Sequence, residues 1–383
     1  MLLRVGLVTC WYNSVSMANY AYNLRLSLEK HPSVTVKVVS SRCFCEFEKF
    51  VGATCSLIDK DCCFVRFPPY VNHRPKGVGV RSKISWVFYD VTQTFSHFLR
   101  GLVYLSKCKD CEVIHYQQSD FSFGVLPLIP VMLIPTANKK VVTAHELDKT
   151  LGLKILALVY NRAAKVIVHS EEMRRTLVSL GVRASKIEVI SHGVRIPALI
   201  AEERDEITFF GAPQKGKGAF FLLEALKVLK DRGDSTQVHF YGVYTSAEQS
   251  AATTRAIKLG VSDCVLWGGR LSEEEFDRKM QKSMFTFAVY LGSVSGSSIL
   301  TRAMANATPI IATNTGGLPE YSRSLVLVPP NDVNALADAI SKLKREPAMR
   351  KRLSDHVRID ATRISWDAVA QKTLNVYQEV LLS

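Results

Sequence analysis

At 383 residues the chain is long enough for two domains, each burying a full core. With 47% hydrophobic and 22% charged residues it is globular, which excludes a disordered chain. A net charge of +14 calls for an anionic partner such as a nucleotide, a lipid phosphate or an acidic membrane; with no Lys/Arg-rich run or RNA-binding signature, nucleic acid is set aside.

The opening MLLRVGLVTC is too short and wrongly flanked for a signal peptide and reads as a first buried strand, Val5 to Cys10. A loop, residues 11–17, leads to a helix from Ala18 to Glu29 and a second strand from Val34 to Ser40. This β-α-β opening would place the first loop toward a ligand, but the loop holds no glycine, so a dinucleotide fingerprint is absent. Eight of the nine cysteines precede residue 112. Cys43-x-Cys45, Cys62-Cys63 and Cys108-x-x-Cys111 invite a zinc reading, yet no second CxxC or histidine pair completes them. Plain thiols in a reducing compartment, and no metal, are expected.

Between Arg66 and Lys109, basic residues mix with Trp86, Phe88, Phe95, Phe98 and Tyr104. A helix here would either rest on an anionic membrane or pack its aromatics inward behind a solvated basic face; the second is favoured. The most apolar segment, Phe121 to Ala137, is broken by three prolines and falls short of the ~20 residues that span a bilayer, so no transmembrane helix is expected. Strands follow at Val113–Gln117 and Lys140–Thr143, with His145-Glu146-Leu147-Asp148 just past the second. Helices at 153–163 and 171–180 alternate with strands at 165–169 and 187–190.

After Pro197 an acidic stretch reads as a linker, and a second βα series begins. Strand Ile207–Phe210 enters Gly211-Ala212-Pro213-Gln214-Lys215-Gly216-Lys217-Gly218 and a helix to Lys230. Further strands are expected at 237–241, 264–267, 285–290, 310–313 and 325–328, with helices at 251–259, 273–282, 299–306, 334–344, 347–358 and 366–382. The turn Ser293-Val294-Ser295-Gly296-Ser297-Ser298 joins a strand end to a helix start, where free N–H groups and the dipole suit a phosphate; it would equally serve as an ordinary N-cap. Two α/β series in succession predict two doubly wound, Rossmann-like domains facing a cleft: residues 1–198, residues 199–364, and a last helix, 365–383, returning to the first.

Several segments match one known pattern in order: Ser16 to Leu24, VVTAHELD, Val166 to Glu171 with Val189 to Val194, and Phe210-Gly211 with Lys217-Gly218. Ala303-Met304-Ala305, Pro309 to Thr313, Gly316-Gly317-Leu318-Pro319-Glu320 and Ser365-Trp366-Asp367 complete it. Together they resemble the GT-B glycosyltransferases, and closely the retaining family 4 type, over nearly the whole chain. The resemblance implies a metal-independent hexosyl transfer from a nucleotide-sugar donor to a lipid-linked or glycan acceptor, with no further cofactor. It also implies a cytoplasmic protein, peripheral at the inner membrane face. Departures are as plain. The family's Glu-x7-Glu pair is Val294 and Arg302 here, its loop arginine is Ala212, its first-loop glycine pair is Ser16-Met17, and no Asp or Glu occurs from Met280 to Pro319.

A leaving diphosphate needs its growing charge met by cations and N–H dipoles. Lys217 is the main candidate and Lys215 its understudy; otherwise both sit on a solvated turn. Gly211, Ser295, Gly296, Ser297, Ser298, Gly316 and Gly317 would add to the grip. Arg302 would replace the charge that Ala212 lacks or lie in solvent, and Arg270 is a weaker candidate for that task. By the resemblance, His145 would hold the donor sugar or acceptor, or else it is a satisfied strand-end histidine; Glu320 would face sugar or ribose, and Asp120, Glu146 and Asp148 are nearby acids for sugar hydroxyls. With no carboxylate nucleophile in place, front-side attack fits better than a covalent intermediate. The alternatives are a catalytically silent subunit that partners another glycosyltransferase and, further off, an epimerase or hydrolase on the same frame.

Overall fold

The computed structural model describes residues 2–9, 15–41, 63–65, 98–118, 126–145, 147, 153–198, 203–292 and 297–383. The chain divides into two compact units, Met1–Ser191 with Val369–Ser383, and His192–Ala368. Each is a parallel sheet with helices on the crossovers, the doubly wound architecture that alternating βα patterns dictate.

The first unit holds seven strands in the order β3-β2-β1-β4-β5-β6-β7: β1 (Leu3–Thr9), β2 (Val34–Ser41), β3 (Cys63–Val65), β4 (Val113–Gln118), β5 (Lys139–Ala144), β6 (Lys165–Val168) and β7 (Ile187–Val189). All six residues of β4 are buried, as a central strand covered on both faces must be. Helices α1 (Val15–Leu28), α2 (98–107), α3 (Leu126–Leu133), α4 (Leu153–Tyr160) and α5 (Glu171–Ser179) make the crossovers. Helix α3 carries Pro130 within it, and Gly101 of α2 is pressed so close to Pro127 and Pro130 that a Cβ there would lie 2.3 Å from the Pro127 carbonyl oxygen. Of the aromatics expected to turn inward on α2, Tyr104 is buried and Phe98 is exposed; the preceding aromatics, from Trp86 to Phe95, lie outside the described residues. Cys108, Cys111 and Cys264 are buried free thiols.

The second unit holds six strands in the order β10-β9-β8-β11-β12-β13: β8 (Glu206–Phe210), β9 (Val238–Tyr241), β10 (Val265–Gly269), β11 (Ser283–Ala288), β12 (Ile310–Thr313) and β13 (Leu325–Val328). Its helices are α6 (Ala219–Asp231), α7 (Ser246–Leu259), α8 (Glu273–Lys282), α9 (Ser298–Ala305), α10 (Val333–Arg345) and α11 (Pro347–Arg363). Helix α7 begins a turn and a half before the expected 251 because Thr245 and Glu248 form a reciprocal capping box. Strand β11 stops two residues short of the expected Tyr290, since Thr313 Oγ1 accepts from the Tyr290 N–H and donates to its carbonyl, each at 2.9 Å. A side chain there replaces the ladder.

Helix α12 (Trp366–Leu382) starts in the second unit and groups with the first from Val369 onward. Its start is anchored by a bridge between Val194 and Ser365 and by the Trp366 ring lying over Gly193. A Cβ on Gly193 would sit 2.4 Å from that ring. Gly193→Ala should therefore overpack this anchor and cost about 1–3 kcal/mol, read as a lower urea midpoint with an unchanged slope.

Candidate functional site

In an open parallel sheet the ligand crevice forms at strand C-terminal ends where the strand order reverses. In the second unit that point lies between β8 and β11. Three segments leave this edge side by side, after β8 (211–218), after β11 (289–292) and after β12 (314–317).

The first loop closes with a single 3-10 turn, Lys215–Lys217, and Gly218 as the N-cap of α6. Gly218 has φ 77°, and a Cβ on it would lie 1.9 Å from the Val289 carbonyl oxygen, so only glycine lets the lysine turn press onto the end of β11. Lys217 is exposed. It faces the N-terminus of α7, where the Gln214 amide, Thr245 groups and the Lys217 charge hold the Glu248 carboxyl below its usual range. Gly211 (φ 129°) begins the loop.

At the second loop Ser297 caps α9, its Oγ accepting from Leu300 N at 3.1 Å and lying 2.8 Å from Tyr290 Oη. Ser298 is exposed at the first helical position. Ser295 and Gly296 lie outside the described residues, as do Asp120, Glu146 and Asp148. At the third loop Gly316 has φ 59° and Gly317 precedes the 3-10 turn Leu318–Tyr321, which carries an exposed Glu320. Arg270, past β10 at the far edge of the sheet, is exposed.

Arg302 is half-buried and held by α8. Its guanidinium lies 3.4 Å above the Phe276 ring and pairs with Glu273 at 3.0 Å and Asp277 at 3.4 Å, all on α8. Asp277 also takes Arg195 and the Asn306 amide. Two carboxylates thus neutralise the arginine that stands in the family's second glutamate position. A cavity of about 460 Å³ beside the α6 start is lined by Phe220, Phe221 and Leu291, and its Arg255 is already paired with Glu224.

In the first unit His145 follows β5 and is 7% exposed. Its Nε2 lies 2.8 Å from the Gln117 amide and its Nδ1 lies 2.9 Å from His169 Nε2, while Tyr20 stands edge-on at 4.5 Å between ring centres. Both ring nitrogens thus meet protein. Gln117 continues to His115 (3.1 Å), and His115 reaches Thr143 (2.7 Å) and Tyr377 of α12 (2.5 Å). The partners Gln117, His169, His115 and Tyr377 were not expected from sequence. The available signal was a wholly buried strand, VIHYQQ, in which a histidine and two glutamines must find hydrogen-bond partners.

Residues 17–196 match the model of Glycosyltransferase Family 4, and residues 195–359 match that of Glycosyl transferases group 1. The chain belongs to the glycosyltransferases of the family 4 type. The chain is similar to an MMP alpha-(1->4)-mannosyltransferase of Mycolicibacterium hassiacum, 31% identical over 43% of this chain and 40% of that protein. A D-inositol 3-phosphate glycosyltransferase of Corynebacterium jeikeium is 31% identical over 45% and 43%. The chain thus spans less than half the length of these two relatives. Among solved structures, a glycosyltransferase from Rickettsia africae shares the GT-B fold at TM-score 0.73 and 17% identity over 99% of both chains. Anabaena HepE, solved in complex with UDP, shares it at TM-score 0.71 and 13% identity over 99% of this chain and 100% of its own.

Two measurements probe these geometries. Gly218→Ala should lower the melting temperature by forcing both the left-handed backbone and the Val289 contact, whereas Gly216→Ala, with open space around it, should leave stability unchanged. Burial holds His115 near about 3, against 6.5 for a free imidazole, so between those values the unfolded chain binds the extra proton. Its contribution to stability should be complete above 6.5 and decline as pH falls toward about 3; His115→Gln should flatten that part of a stability-versus-pH curve.

Proposed function

We propose that this chain transfers a hexosyl group, with retention, from a nucleoside diphosphate-sugar to a lipid-linked or glycan acceptor. The observation that carries the reading is the lysine turn seated by Gly218 against the end of β11, beside the serine-capped start of α9 and the Gly316-Gly317 turn. Cations and N–H groups gathered at a sheet's switch point suit a diphosphate. Membership of the family supports sugar transfer, and the UDP-bound neighbour and mannosyl- and inositol phosphate-directed relatives support the donor and acceptor classes.

In this mechanism the bond from the sugar C1 to the diphosphate oxygen breaks while the acceptor oxygen bonds to C1 on the same face. The departing phosphate oxygen takes the acceptor's proton. Lys217, Ser298 and the loop amides stabilise the charge that develops on that oxygen. No carboxylate nucleophile, metal or further cofactor enters the sequence of steps. His145 serves the sugar or acceptor side from the first unit. Among the described residues no helix is long and apolar enough to cross a membrane. In this reading the acceptor is reached peripherally from the cytoplasmic face.

A second reading, a silent subunit partnering another glycosyltransferase, draws on one observation: Arg302 stands where the family's acid would be and is neutralised by α8. Thermal shift with UDP, GDP and ADP, followed by sugar transfer from their conjugates, separates the two. The proposed enzyme should prefer one nucleotide, and Lys217→Ala should weaken it by roughly 1.5–3 kcal/mol, about ten- to a hundredfold in Kd. Stabilisation by none of the three, with no sugar released, would favour the silent subunit.

A further inference from the structure

Where α2 ends and β4 begins, the chain folds two cysteines onto one point of the first unit's sheet. Cys108 is fully buried and Cys111 is 6% exposed, and both are free thiols. The Cys111 N–H donates to the Cys108 carbonyl at 3.0 Å, closing a turn over Lys109 and Asp110. The Asn138 amide donates to both cysteine carbonyls, at 3.2 Å to that of Cys108, and pins the turn to the start of β5. A turn closed in this way holds its end Cα atoms within about 7 Å. A disulfide spans roughly 4.4–6.8 Å between Cα atoms.

Gly6 of β1 shows where the sulfurs go. A Cβ on it would lie 2.6 Å from Cys108 Sγ and 3.3 Å from Cys111 Sγ, so both atoms crowd the space that glycine leaves open. The two side chains hydrogen-bond to each other. That bond, helped by the Lys37 ammonium, holds the Cys111 thiol below its ordinary range; burial and the charges of Asp110 and Glu112 oppose it and lose. The same bond, together with burial, pushes the Cys108 thiol up. One sulfur is thus the readier thiolate while its neighbour keeps its proton, the roles of an attacking and a resolving thiol. A single buried cysteine packs as a small hydrophobe. Two sulfurs brought together by a clamped turn are also placed to bond.

We propose that Cys108 and Cys111 are a redox-active dithiol that hydrogen peroxide converts to a disulfide, with Cys111 attacking and Cys108 resolving. The Cys111 thiolate attacks one peroxide oxygen, the O–O bond breaks, and the departing hydroxide takes a proton to become water. Cys111 is then a sulfenic acid. The Cys108 sulfur bonds to the Cys111 sulfur as the S–O bond breaks, and the Cys108 proton leaves with that oxygen as a second water. The thiols are oxidised by two electrons and the peroxide is reduced to water. So small an oxidant suits the narrow exposure of Cys111. The step needs no sugar donor and stands apart from the transfer reading.

The test is hydrogen peroxide treatment of the full chain, then blocking of free thiols in denaturant and mass mapping. Trypsin cuts after Lys109, between the two cysteines, so the disulfide joins two peptides that dithiothreitol separates. Wild type should show that link, and with dimedone present during oxidation it should carry the label on Cys111. Cys108→Ala should trap dimedone at Cys111, and Cys111→Ala should leave Cys108 a free thiol. Both cysteines still free after peroxide, or joined only to other cysteines, overturns the proposal. So does dimedone on Cys108 in place of Cys111. If either variant fails to fold, the two wild-type maps still decide.

Discussion

The arrangement of loops at the second unit's sheet depends on β8 and β11 lying side by side although α6, β9, α7, β10 and α8 separate them in the chain. The pairing is cemented by more than the ladder. Thr286 Oγ1 donates to the Thr208 carbonyl at 2.8 Å, and Thr208 Oγ1 lies 2.7 Å from Ser283 Oγ. These hydroxyls are buried and satisfied only in this register, so slipping the strands would leave polar groups stranded. With the register fixed, Val289 stands under Gly218, and the lysine turn is pressed onto the end of β11.

The electrostatics of this edge follow from what the second unit lacks and where its acids went. No carboxylate occurs between Met280 and Pro319, so the loops after β11 and β12 carry none before Glu320. The nearest acids on α8, Glu273 and Asp277, are taken up by Arg302 and Arg195. An arginine over an aromatic ring with two carboxylates is a packing element that steadies α8 against α9. Lys217 consequently stands as an exposed cation whose charge is felt by Glu248, itself held by Gln214 and the α7 cap.

The first unit solves a different problem. Its central strands carry His115, Gln117 and Gln118 into a fully buried layer, where each polar atom must find a partner. Tyr377 on α12 supplies one, and Thr143 and Tyr160 supply others. The last helix thereby does more than cover apolar surface, since it ends a polar chain that reaches His145 at the sheet edge.

Alternation of apolar strands with amphipathic helices was legible in the chain itself, because a buried parallel strand and a half-buried helix demand different spacings of the same residues. So were two sheets, the strand ends carrying Lys217, His145 and the glycine turns, and the missing acids, all of which are local or compositional. The fate of Arg302 was not: a long, flexible cation takes whichever carboxylates packing brings near, and those come from a helix twenty-odd residues upstream. Nor could spacing show that His145 has His169 and Gln117 on its two nitrogens, since β4, β5 and β6 become neighbours only when the sheet closes. Local pattern determines which elements form; hydrogen-bond and charge partners between distant elements are chosen by tertiary packing, because desolvation makes each buried polar group bind whatever the fold places within reach.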